Sequence, residues 1–352
     1  MKQQLNKLRK IYFIPQRDLI VGTCSSELNG SIRFWSIDDG KLKDVLDLGK
    51  GEWASFLAVS NNGNLIVVGL LAKNQIACYS LTEKKWLWRV NWLDKGVVDI
   101  VMRFTTDDQK VVVVGFRNIV TYDAKTGAIL QRQEDSEGFS DGFPNYRTRN
   151  NAISPSARYS AFWQGNLEHD EGWWSSKNIW VLVRDIEKEK AIAKQGKIQE
   201  KYKNCSAIFS SDEKNLLLGS MDGYVRVWSI AEQKVIREWK VYWLDEPISF
   251  KESGGAPNAI HSMTFSPNGR HLATIGHLKG RSAIRIWDYT TKKLLYEFDG
   301  IYLTLPMCSG YPMAFSPDGK YFALEQQGKL CLYDIQAWQE KWCVPSAGGG
   351  KD

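Results

Sequence analysis

Histidine is scarce in this chain: four residues, at 169, 261, 271 and 277, in a sequence of 352. The last three share one short segment, but a turn read over Ser266 to Arg270 reverses the chain between them. His261 and His277 then meet at one end while His271 lies near the other, whereas a closed zinc site takes four ligands. No metal is expected. Cysteine is sparse and unpatterned: the six residues, at 24, 78, 205, 308, 331 and 343, form no C-x-x-C pair, so the paired-cysteine motifs are missing. Most fall in predicted strands, where free thiols pack as small hydrophobes. A reducing, cytoplasmic compartment is the expectation. Cys331 and Cys343 could face each other on neighbouring strands near the C-terminal end, yet two free thiols are expected there too. Neither a Gly-rich phosphate loop nor a nucleophile elbow occurs. No stretch approaches the ~20 apolar residues of a membrane-spanning helix, and the basic N-terminus, MKQQLNKLRKIYFIPQRD, has too short an apolar run for a signal-peptide core. These absences argue against an enzyme, and no cofactor is expected.

What the chain has is apolar and aromatic mass. It is 43% hydrophobic and 12% aromatic, with 15 Trp, enough to bury a large core. Its net charge of +6 is modest and weakly favours acidic partners. From Asn204 to Trp239, four short apolar runs (Ala207 to Phe209, Asn215 to Gly219, Tyr224 to Ile230, Val235 to Trp239) are separated by turn residues, which predicts four antiparallel strands. Asp222-Gly223 supplies a tight hairpin between the second and third. Both alternating sets of the middle strands are apolar, with Leu216, Leu218, Val225 and Val227 beside Leu217, Tyr224 and Trp228. The sheet must lie between others like it.

Copies of its turn supply those others. Phe209-Ser210-Ser211-Asp212 recurs as FSPNGR from Phe265 and FSPDGK from Phe315, with weaker versions from Phe13, Val59, Phe104 and Ile153. Each is followed by an aromatic, or once by Arg184-Asp185, near the end of a β-rich run: Trp35, Tyr79, Tyr122, Trp228, Trp287 and Tyr333. The period is about 44 residues and is lengthened twice, which is the spacing of propeller blades. This regularity favours one repeat domain over two ordinary ones.

FSPDGK, GSMDGYVRVWS and SAIRIWD resemble the repeats of the WD40 family, over nearly the whole chain from Leu8 to Val344. The resemblance implies an all-β, seven-bladed β-propeller of four-stranded antiparallel blades and a role as a protein-binding platform. The Gly-His pair usual before the first strand is missing, so the buried His-Ser-Trp-Asp network of strict members is not expected; Asp222 and Trp228 keep two of its places. The blades are read at about 8–53, 54–96, 97–147, 148–203, 204–257, 258–306 and 307–345, with 346–352 as a disordered tail. The last blade owns its outer strand, near Lys341 to Val344. In the fourth, Asn166 to Lys177 is read as a long loop, and KEKAIAKQGKIQEKY as an outer strand plus linker rather than a helix, because Gly196 interrupts it.

In a propeller the connections from strand two to three and from blade to blade open on one face, the top. Three excursions fall in such connections: Arg132 to Arg147, Gln164 to Lys177 and Val241 to Pro257. They carry ten acids against four bases, a net of −6 that leaves the remainder of the chain at +12. They also carry Phe139, Phe143, Tyr146, Trp173, Trp174, Tyr242, Trp243 and Phe250, and blade-to-blade loops add Trp53 and Trp92. Aromatics among charges are the composition of binding hot spots. The candidate partner-binding residues are therefore Trp53, Trp92, Phe139, Phe143, Tyr146, Trp173, Trp174, Tyr242, Trp243, Asp245 and Glu246, for a protein partner with a basic segment or a larger assembly. The blander reading makes part of these rings anchors for their own loops. Two rival functions stay open: an enzyme or small-ligand binder at the channel mouth, and nucleic-acid binding by the basic underside.

Overall fold

The structure, a computed structural model, describes residues 7–25, 29–70, 72–92, 100–115, 118–134, 152–170, 173–198, 204–220, 222–242, 259–278, 281–301 and 311–346. Among these there are strands and turns and no helix. They form the seven four-stranded antiparallel blades of a β-propeller. In chain order the blades are β1 (Lys7–Ile14), β2 (Leu19–Ser25), β3 (Asn29–Ser36) and β4 (Leu42–Lys50); β5 (Ala54–Val59), β6 (Leu65–Leu70), β7 (Gln75–Ser80) and β8 (Lys85–Asn91); β9 (Val101–Phe104), β10 (Lys110–Val114), β11 (Asn118–Asp123) and β12 (Ile129–Glu134); β13 (Ala152–Ile153), β14 (Tyr159–Asp170), β15 (Trp173–Asp185) and β16 (Lys190–Ile198); β17 (Asn204–Phe209), β18 (Asn215–Ser220), β19 (Tyr224–Ser229) and β20 (Lys234–Lys240); β21 (Ile260–Phe265), β22 (His271–Leu278), β23 (Arg281–Asp288) and β24 (Leu294–Ile301); and β25 (Met313–Phe315), β26 (Tyr321–Gln326), β27 (Lys329–Asp334) and β28 (Gln339–Pro345). Two compact units share them: residues 1–113, 120–132 and 309–352 in one, 114–119 and 133–308 in the other.

The repeat is written in turn chemistry as much as in apolar pattern. In six blades the first strand ends at a Ser or Thr whose hydroxyl accepts the N–H five residues on: Ser60 from Leu65, Thr105 from Lys110, Ser154 from Tyr159, Ser210 from Asn215, Ser266 from His271 and Ser316 from Tyr321, all at 2.8–3.1 Å. That bond closes the hairpin locally before any long-range contact forms. In the first blade, where the Arg17 N–H donates to the Ile14 carbonyl, the third turn residue, Gln16, is left-handed; in the other six it is the fourth: Gly63, Asp108, Ala157, Glu213, Gly269 and Gly319. Where this residue is acidic, it reaches back to the preceding blade's turn. The Asp108 carboxylate accepts the Asn61 and Asn62 N–H groups at 2.7 and 2.8 Å, and that of Glu213 accepts the Ser156 N–H at 2.5 Å and its hydroxyl at 2.8 Å. At Gly63 the Pro15 carbonyl fills the space a Cβ would need, so only glycine serves there.

Between blades the cores are continuous within each unit. In one, Val21 and Ile32 pack with Leu57, Ile66 and Val68 of the next blade, while Ile20 and Trp35 pack with Ala323, Leu330 and Leu332 of the last. In the other, Leu217, Val225 and Val227 pack with Ile260, Met263 and Leu272. Trp35, Trp228 and Trp287 are all buried, as strands covered on both faces require.

The fourth blade departs from the expected loop. Leu167, Glu168, His169 and Asp170 pair with Ser176, Ser175, Trp174 and Trp173, so most of the stretch read as a loop lengthens β14 and β15. Only Glu171 and Gly172 separate the two strands. Cross-strand pairing satisfies backbone groups that a loop would leave to water. Lys190–Ile198 is the outer strand, as expected.

Two corrections concern the C-terminal end. Cys331 and Cys343 stand directly opposite in the β27–β28 register, Cα atoms 4.1 Å apart, and are disulfide-bonded rather than free. Ser346 is no part of a loose tail: it is buried, and its N–H and hydroxyl both donate to the Gly328 carbonyl at 3.0 and 2.8 Å. Residues 347–352 lie outside the described residues.

Candidate partner-binding surface

The blade-to-blade connections begin with a recurring backbone contact. The residue leaving an outer strand donates to a carbonyl in the turn between the same blade's second and third strands, at a residue with positive φ. Trp92 N–H reaches Asn74, Val241 and Tyr242 reach Gly223, and Ser346 reaches Gly328, at 2.7–3.2 Å. Side chains next to these contacts are therefore drawn inward.

That geometry reassigns two candidate residues. Trp92 is 6% exposed and packs in the apolar cluster with Trp88, Ile100 and Met102, and the Asn74 side-chain amide donates to its carbonyl at 3.1 Å. Tyr242 is fully buried. Its hydroxyl lies 2.9 Å from the Thr274 and Ala283 carbonyls and 3.2 Å from the Thr274 hydroxyl, which also accepts the Trp287 indole N–H at 3.1 Å. Burial drives the Tyr242 phenol far above its ordinary pKa, outweighing its hydrogen bonds and the nearby Arg285 cation. Both rings are anchors of their own connections, not contact surface. Tyr242, Thr274 and Trp287 thus form a hydrogen-bonded set of their own, distinct from the His-Ser-Trp-Asp network that the missing Gly-His pair argued against.

Trp53 differs. It is 36% exposed and follows Glu52, a buried residue whose carbonyl accepts the Gly30 N–H at 2.6 Å and whose carboxylate lies 3.8 Å from the Lys73 ammonium. Trp173 and Trp174 open β15, paired with Asp170 and His169 at the tip of the lengthened hairpin. Phe139, Phe143, Tyr146, Trp243, Asp245 and Glu246 lie outside the described residues.

Sequence reasoning passed over a set of arginines. Arg33, Arg226 and Arg285 each sit two residues before a buried Trp, in SIRFW, YVRVW and AIRIW. Arg226 is buried and pairs with Asp222 at 2.6 Å and Glu238 at 3.0 Å. Burial alone would raise the Asp222 pKa, but the Arg226 hydrogen bond, the Ser220 hydroxyl and the Arg226 charge more than offset it, leaving the carboxyl below its usual range. Arg285 pairs with Glu297, donates to the Val241 carbonyl and stacks 5.0 Å over the Tyr242 ring. Arg33 donates to the Ser346 carbonyl at 2.8 Å. Two of the three thus hold a connecting segment, and the signal was there to read: a charge repeated at a strand position whose neighbours are all apolar.

The β21–β22 register places Ile260 opposite Gly276, so His261 and His277 share one end of the blade and His271 lies at the other. Among the described residues, the one grouping of metal-ligand side chains is Cys331, Glu340 and Cys343, whose two sulfurs are already joined. The described residues contain no helix long and apolar enough to cross a membrane.

Residues 198–229, which span most of the fifth blade, match the WD40 family model, described as WD domain, G-beta repeat. No curated protein matches the chain.

Proposed function

Because the chain is a WD40-repeat propeller, a fold that generally serves as a protein-interaction scaffold without chemistry of its own, we propose that it binds a protein partner bearing a basic segment. The contact is made by the acidic, aromatic excursions that fall almost wholly within residues 133–308. The observation that carries this reading is compositional: ten acids against four bases, interleaved with Trp173, Trp174, Trp243, Phe139, Phe143 and Tyr146. Desolvated aromatic rings supply contact area at low entropic cost, and Arg or Lys side chains stack on them. Asp245 and Glu246, beside Trp243, add the attraction that steers such a segment inward. Trp53 is an exposed ring of the other unit, and is a candidate contact of that unit by itself. Trp92 and Tyr242 are left out as anchors.

The test is affinity capture from cell extract with wild-type chain and with a Trp173→Ala/Trp174→Ala/Trp243→Ala variant, normalised to folded protein. A set of proteins lost by the variant and rich in Arg/Lys segments is the expected result. Identical captures would remove these loops from the binding surface.

A further inference from the structure

The Cys331–Cys343 pair lies on the two outer strands of the last blade, and the outermost of these, β28, adds side-chain contacts with the first blade to the packing that the inner strands β25 and β26 make with β1. The Trp342 indole N–H donates to the Ile37 carbonyl at 2.8 Å. Just beyond the strand, the Ser346 carbonyl accepts Arg33 at 2.8 Å and the Cys24 thiol at 3.9 Å. Trp342 and Val344 pack on the cluster of Leu8, Ile20 and Trp35. An edge strand has one neighbour in its sheet, so its attachment is the weakest in the blade, and a cross-link to β27 holds down the segment that carries these contacts.

The described cysteines differ in access. Cys24 and Cys78 are buried, and burial pushes both thiols up to about 12; they are chemically quiet. Cys331 is buried as well, but Cys343 is half-buried on the edge strand. A sulfur open to solvent is what thiol–disulfide exchange requires, with a second sulfur directly behind it to resolve the intermediate. The Glu340 carboxylate lies within 4.8 Å of both sulfurs, and its negative charge disfavours the attacking thiolate.

We propose that Cys331 and Cys343 form a redox-sensitive clamp, which opens and closes by exchange with a small monothiol or its disulfide, of the glutathione class, and sets how firmly β28 holds the last blade to the first. In the closing direction the Cys343 thiolate attacks one sulfur of the small disulfide and expels the first small thiolate. The Cys331 thiolate then attacks the Cys343 sulfur of the mixed disulfide and expels the second. The protein loses two electrons and two protons; the small disulfide gains them as two thiols. Opening is the same sequence reversed.

The experiment equilibrates the full chain in glutathione buffers of graded reduced-to-oxidised ratio, quenches in acid and maps free thiols by mass-tagged alkylation. Cys331 and Cys343 should lose their tags together in one two-electron transition while Cys24 and Cys78 stay reduced. The oxidised form should melt a few degrees higher and resist cleavage after Gln339, and both differences should vanish in Cys343→Ser. Glu340→Gln should speed closure severalfold without moving the reduced form's melting point, a rate effect that a merely structural cross-link does not predict. The wild-type titration decides the matter even if a variant fails to fold. The proposal is overturned if both thiols stay alkylatable in fully oxidised buffer, if Cys343 carries only a stable glutathione adduct, or if the bond resists a full excess of reduced glutathione. It also falls if oxidation leaves melting and proteolysis unchanged.

Discussion

Replacing Tyr242 with Phe removes one hydroxyl from the interior of the unit formed mainly by residues 133–308. That hydroxyl has two carbonyls at 2.9 Å and the Thr274 hydroxyl at 3.2 Å, no solvent exposure, and therefore no water to replace it. Losing a buried hydrogen bond costs about 1–3 kcal/mol. Thr274 keeps its Trp287 donor, which places the substitution in the lower half of that range. For a unit of this size each kcal/mol moves the melting point by about 2–4 °C, so Tyr242→Phe should melt a few degrees lower. Tyr242→Ala should cost about 3–5 kcal/mol, as truncation of a buried aromatic does. Gly276→Ala probes the same contact from the other side: an added Cβ would meet Tyr242 Cε2 at 2.6 Å and the Ala259 carbonyl at 2.7 Å. The assay is thermal unfolding followed by tryptophan fluorescence, with partner capture measured per folded molecule. Tyr242→Phe with wild-type melting and weakened capture would refute the reasoning, because Tyr242 would then be contact surface after all.

Three further outcomes follow from the same geometry. Trp228→Ala should cost about 3–5 kcal/mol and lower expression, whereas Lys84→Ala, on an exposed turn, should stay within about 0.5 kcal/mol; equal melting curves would overturn the strand assignment. Glu213→Ala strips the Ser156 N–H and hydroxyl of their acceptor and should cost about 1–2 kcal/mol, read as a lower urea midpoint at unchanged slope; no shift would mean the latch contributes nothing. Asp222 has a folded pKa below its unfolded value of about 3.9, so its stabilisation is full above that pH and is lost as the pH falls toward the folded pKa. The stability gap between wild type and Asp222→Asn should accordingly be flat from pH 6 to 8 and narrow below about pH 4; a gap that widens in acid would contradict the Arg226 pairing.

The blade pattern was legible because its signals are local. Ser210, Asp212 and their copies close six of the seven hairpins within six residues, and the alternation around Leu217 and Trp228 declares burial on both faces. The lengthened hairpin was misread because Asn166 to Lys177 is mostly polar and shows no apolar alternation, its only apolar residues being Leu167, Trp173 and Trp174, so strand pairing there rests on backbone register rather than on an apolar face. Tyr242 and Trp92 were assigned to the surface because they sit in connections. Their burial depends on backbone bonds to Gly223 and Asn74, partners fifteen to twenty residues away that composition does not reveal. The Cys331–Cys343 bond needed a register: neighbouring strands were readable, but a one-residue slip would have set the two sulfurs on opposite faces.

The proposed partner surface is tested most directly by binding kinetics on immobilised peptides of equal length, one series rich in Arg and Lys and one rich in Asp and Glu. The wild-type chain should bind the basic series alone, with association that slows as salt rises, because charge steering is screened beyond about 8–10 Å at ordinary ionic strength. Asp245→Lys/Glu246→Lys should slow association and flatten that salt dependence, and Trp243→Ala should speed dissociation, with melting points unchanged. Equal binding to both series would contradict the account, as would Trp243→Ala that unfolds more easily yet binds normally per folded molecule.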